Sequence, residues 1–100
     1  MNQSKFTLGQ TVMTRSVSDL VMVSDRFIHF VMKCMLRHKA CNWGDLDPED
    51  IEYNNLALEY GSRILSSYMI PFSFGIDHTK LWLITEADRY STTILFPSDY

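Results

Sequence analysis

Apolar positions in this chain change period twice, and the changes divide it into elements. From Asp25, at about 100° per residue, Phe27, Phe30, Val31, Cys34 and Met35 fall on one side, with Ile28 and Met32 at its edge. Arg26, His29, Lys33 and Arg37 gather on a narrow opposite stripe. This predicts an amphipathic helix from Ser24, a good N-cap, to Lys39, with Asp25 in the first turn and basic residues in the last, where the helix dipole favours them. A second helix start is written in Asp47-Pro48-Glu49-Asp50: a cap, a proline at the first helical position and acids in the first turn. Its period turns Ile51, Asn54, Ala57 and Leu58 inward and Glu52, Asn55 and Glu59 outward, with Tyr53, Leu56 and Tyr60 widening the apolar side. Gly61 is a natural terminator in the left-handed conformation.

Beyond Gly61 the pattern becomes β-like. Residues 63–70, 80–85 and 90–96 read as strands, the last stopped by Pro97. The four residues 86–89 between the second and third make them an antiparallel hairpin, and 71–79 is a longer connection. Near the N-terminus Thr11-Val12-Met13-Thr14 reads as a short edge strand. Residues 16–23 are ambiguous, although Ser18 and Asp19 suit a helix cap. The order implies a single α+β domain over residues 1–100, a three-to-four-stranded antiparallel sheet with two or three helices packed on one face.

Composition adds exclusions. No apolar run exceeds four residues, too short for a membrane span. The first ten residues lack the apolar stretch of a secretory signal, and two cysteines are too few for a disulfide scaffold. A cytoplasmic chain is the expectation. Charge is unevenly spread: residues 1–40 carry six bases and two acids, residues 41–100 three bases and ten acids. Such a layout suits two faces of opposite sign, or two halves that neutralise each other.

Five groups of residues invite a chemical reading. Asp45, Asp47, Glu49, Asp50 and Glu52 form an acidic cluster that suits docking on a basic groove, although capping alone accounts for Asp47, Glu49 and Asp50. Phe72, Phe74 and Ile76 alternate along the 71–79 connection, which places all three on one side, either closing the core or forming a partner-binding finger. The basic stripe on the first long helix has phosphate-contacting residues, yet the chain is acidic overall and carries no nucleic-acid-binding signature, so no direct nucleic-acid contact is expected. Cys34, His38 and Cys41 have ligand-like spacing without a fourth partner, so no metal and no cofactor are expected. Glu86, Asp88 and Arg89 pair carboxylates with an arginine but have no nucleophile or histidine nearby in sequence, and a salt-bridged turn explains them. The chain reads as a non-enzyme.

Residues 38–100 carry a resemblance. His38, Trp43-Gly44-Asp45-Leu46, Glu49-Asp50, Asn54, Ala57-Leu58, Gly61, Ser66, Tyr68, Lys80-Leu81-Trp82-Leu83-Ile84-Thr85-Glu86-Ala87-Asp88-Arg89, Thr92-Thr93-Ile94-Leu95, Pro97 and Tyr100 are similar to a family of small proteins from bacterial mobile elements known as plasmid-related proteins. The resemblance carries a setting and no catalytic residues. The family has a tight turn where this chain has Pro71 to Thr79, and the first 37 residues match loosely. A small acidic protein of mobile DNA implies a stoichiometric inhibitor of host defence, of the anti-CRISPR or anti-restriction kind, whose partner is a CRISPR effector or a restriction subunit. The alternative is an accessory interaction domain of the mobile element, self-associating as a homodimer through the Met- and Phe-rich helix face.

Overall fold

The computed structural model describes residues 5–100. In chain order these form β1 (Gln10–Met13), α1 (Arg15–Val23), α2 (Asp25–Lys39), α3 (Pro48–Tyr60), β2 (Ile64–Met69), β3 (Lys80–Thr85) and β4 (Ser91–Leu95). Single 3-10 turns occupy Phe72–Phe74 and Pro97–Asp99. The α+β class stands as expected. The helix boundaries follow the capping chemistry: the Ser24 hydroxyl accepts from the Phe27 N–H at 3.1 Å, and the Asp47 carboxylate accepts from the Asp50 N–H at 2.9 Å.

The sheet runs β1-β4-β3-β2 and is mixed, correcting the all-antiparallel expectation. β2, β3 and β4 form an antiparallel meander, but β1 lies parallel to β4 with Gln10 opposite Ser91. The Gln10 N–H bonds the Tyr90 carbonyl at 2.8 Å, so both strands start from the same end of the sheet. Hydrophobic alternation carries no information about strand direction, which is why the pattern could not reveal this.

One sheet face carries Tyr68, Leu81, Leu83, Ile94 and Phe96, and α1 and α2 bury Val17, Phe27, Val31 and Cys34 against it. The Phe- and Met-rich side of α2 is therefore turned to the sheet: Phe27 and Val31 are buried, while Phe30 and Met35 pack on the same core. Only Met32 and Leu36 of that helix, with Met22 and Val23 of α1, remain as large exposed apolar residues there. Phe27 and Val31 are thus committed to this chain's own core and not to the surface of the helix. A second cluster, Phe6, Trp43, Ala57 and Ile64, seats α3 beside β2.

The outer edge of β2 is closed by three devices in succession. The Asn54 side chain donates to the Leu65 carbonyl at 2.6 Å and accepts from the Leu65 N–H at 3.2 Å. One step on, the backbone of Trp43 and Asp45 brackets Ser67. Finally an Asp45 carboxylate oxygen accepts from the Met69 N–H at 2.8 Å. Every outward backbone group of the strand named here finds a partner, which removes an open edge. Gly44 makes the approach possible: its φ is +80°, and a Cβ there would run into the Ser67 carbonyl and the Tyr68 ring.

Candidate functional site

The other sheet face is only partly covered, and there the chain forms a cleft of about 410 Å³. Leu65, Trp82 and Ile84, at alternate positions of β2 and β3, form its floor. Leu46 and Tyr53 stand on the α3 side, with Asn54 below them and Asp50 at the rim. Arg63 and Tyr100 close the opposite side. Asp50, Tyr53 and Asn54 share one helix face because they lie three and four residues apart.

The two rims differ electrostatically. The Arg63 guanidinium lies 5.3 Å from the Tyr100 ring centroid, donates to the Tyr100 hydroxyl at 2.8 Å and sits 3.8 Å from a Glu86 carboxylate oxygen. Its charge is thus answered on its own side. Trp82 meets Tyr100 edge-on, with ring centroids 6.0 Å apart. On the α3 side, the Asp50 carboxylate has no hydrogen bond or ion pair among the described residues.

The acidic cluster divides into structural and free groups. Asp45 holds the β2 edge and Asp47 caps α3, so each carboxylate accepts a backbone N–H while both residues stay exposed. Glu49, Asp50 and Glu52 stay exposed on the first turns of α3. Among the described residues, the only ion pairs are Arg15–Asp19 and Arg63–Glu86, so none joins the basic stripe of α2 to α3.

The 71–79 connection also differs from its alternating pattern. It folds into a 3-10 turn at Phe72–Phe74 that ends at Gly75, φ +67°. Phe74 turns back against Phe30, ring centroids 5.8 Å apart, under the Arg26 guanidinium. Ile76 packs on the main core. Phe72 alone is fully exposed. A finger of three apolar residues is therefore a finger of one, because a 3-10 turn replaces the period-two geometry on which the expectation rested.

Glu86, Asp88 and Arg89 each have partners within the fold. Arg89 does not pair with Glu86 or Asp88 carboxylates. It donates to the carbonyls of Ser62, Glu86 and Ala57 at 2.6, 3.0 and 3.0 Å, tying the end of α3 to the β3–β4 turn. The Asp88 carboxylate accepts from the Tyr90 N–H. Burial pushes the Cys34 thiol up to about 12, the reverse of an activated nucleophile, and raises that of Cys41 too. Among the described residues no three His, Cys, Asp or Glu side chains are grouped to hold a metal ion.

A buried polar chain escaped the sequence reading. His38, fully buried at the end of α2, bonds Ser66 through Nδ1 and Thr85 through Nε2 at 2.9 Å. Thr85 meets Thr92 at 2.7 Å, and Thr92 donates to the Leu8 carbonyl at 2.7 Å. The carbonyl accepts only, so Thr92 uses its proton there and receives that of Thr85. Thr85 in turn receives the His38 Nε2 proton, which leaves Nδ1 bare to accept from Ser66. Burial holds the imidazole down to about 4, so it is neutral at pH 7. Serine and histidine meet here as a nucleophile and base would, but both are sealed in the core, outside the lining of this cleft.

Of the cleft residues only Asp50 was among the sequence candidates, although a signal for the floor was present. Leu81-Trp82-Leu83-Ile84 is apolar at every position, whereas a strand with one wet face alternates. Such a run demands a cover on both faces or leaves an apolar patch on one. No helix among the described residues is long and apolar enough to cross a membrane. Comparison with protein-family models, curated proteins and solved structures finds no significant match.

Proposed function

We propose that this protein works by binding another protein, as a stoichiometric inhibitor of a bacterial defence complex of the CRISPR or restriction kind, and not by catalysis. The observation that carries the binding reading is the aromatic cleft on the open sheet face beside an unneutralised acidic helix start. Apolar surface with polar groups at its rim is how protein-recognition sites are built. The free carboxylates of Glu49, Asp50 and Glu52 suit a basic surface, as nucleic-acid-handling complexes present, and Phe72 supplies an apolar tip elsewhere on the surface. The defence target rests on the mobile-element resemblance of residues 38–100.

The test is biological. Phage are plated on strains carrying an active CRISPR or restriction system, with and without the protein expressed. Restored plating against one system, lost with Glu49→Lys plus Glu52→Lys at unchanged protein level, supports the reading. Plating unchanged by the protein across the panel of systems refutes it.

A further inference from the structure

The proposed protein-binding reading leaves open what chemistry the cleft selects, and three observations converge on an answer. First, its lining is aromatic: Tyr53 and Tyr100 flank a floor that includes Trp82. Aromatic faces attract cations through the ring quadrupole. Second, the cleft already performs this chemistry internally, since Arg63 lies over the Tyr100 ring and donates to its hydroxyl. Third, the charges are unequal. Arg63 is balanced by Glu86, while Asp50 on the opposite rim has no counter-ion among the described residues.

We infer that the cleft receives a basic side chain of a partner protein, an arginine or lysine whose aliphatic stem lies on Trp82 and Leu65 and whose charged head meets Asp50. The stem suits the apolar floor, because long basic side chains bury their methylenes and keep the head at a polar rim. An acidic occupant would find Arg63 already engaged and Asp50 repelling it. A purely apolar occupant would gain nothing from Asp50.

The experiment is a titration of the isotopically labelled full chain, read at the Trp82 indole N–H by NMR. Trp43, buried with its indole bonded to Asn55, serves as the internal control. The probes are acetyl-arginine methylamide, the near-isosteric neutral acetyl-citrulline methylamide and acetyl-glutamate methylamide. Arginine should shift Trp82 saturably and bind about tenfold tighter than citrulline, the size of one cation–π contact with a partly screened ion pair. Asp50→Asn, which removes a carboxylate with no hydrogen-bond or ion-pair partner among the described residues, should erase most of that preference. Equal binding of arginine and citrulline overturns the inference while leaving the cleft a protein-binding surface. Tighter glutamate binding, or no Trp82 shift with any probe, overturns it also. None of these results bears on whether a defence system is inhibited.

Discussion

Acid should loosen this protein in a pH range that belongs to one residue. His38 is fully buried and, with its Nε2 proton given to Thr85, is built into the core as a neutral ring. Its folded-state value is lowered from 6.5 to about 4 by burial. An unfolded chain therefore binds a proton on this residue below about pH 6.5 that the folded chain refuses until about pH 4. Stability must fall as pH drops through that window, and the shift, at 1.36 kcal/mol per unit, corresponds to a loss of about 3 kcal/mol by pH 4. A domain of this size has ~5–15 kcal/mol in total, so the effect is readily measured. Asp99, held below the usual carboxylate range chiefly by the Ser16 hydroxyl, adds acid sensitivity only at lower pH, outside the window. The assay is urea unfolding between pH 4 and 7.5, with the His38 ring protons followed by NMR. His38→Gln should be less stable at pH 7 because it disturbs a fully satisfied buried chain, yet should lose most of the slope. A flat wild-type profile, or His38 titrating near 6.5, would mean that the buried ring does not set this acid sensitivity.

Other expectations are quicker to check by the same unfolding assay. Asp45→Ala removes the acceptor of the Met69 N–H and should cost about 1 kcal/mol, marking Asp45 as an edge-closing residue. Arg89→Met leaves the carbonyls of Ala57, Ser62 and Glu86 without their guanidinium and should cost about 2–3 kcal/mol. Gly61→Ala has open space for its methyl group but must hold φ near +74°, so about 1 kcal/mol is expected. Phe72→Ser should change stability by less than about 0.5 kcal/mol, since the ring is fully exposed. A large loss there would mean that the tip is part of the core.

What was legible in the chain was local. Ser24, Asp47-Pro48 and Gly61 mark helix ends because capping is settled within a few residues, and the observed caps are those side chains and that left-handed glycine. Asn54 was placed on the inward side of its helix by period alone, although its role as a closing clasp on Leu65 needed the strand beside it. Asp45 looked like one member of an acidic cluster because its true partner, Met69, is 24 positions away. Of the two readings open for Phe74 and Ile76, packing on the core is the one the fold takes, because a 3-10 turn ending at Gly75 replaces the extended backbone that alternation assumes. The cleft draws on segments around residues 46–54, 63–65, 82–84 and 100, so no single window of sequence contains it.

On the proposed reading, the open sheet face and the adjoining turns of α3, not α1 and α2, meet the partner. Plating efficiency of phage on a defended strain expressing wild type, Asp50→Lys or Lys33→Glu at equal protein levels decides between the two layers. Asp50→Lys, at the cleft rim, should abolish protection of the phage. Lys33→Glu, on the exposed basic stripe of α2, should leave it intact. Protection that survives Asp50→Lys and disappears with Lys33→Glu would place the contact on the opposite layer and contradict the account.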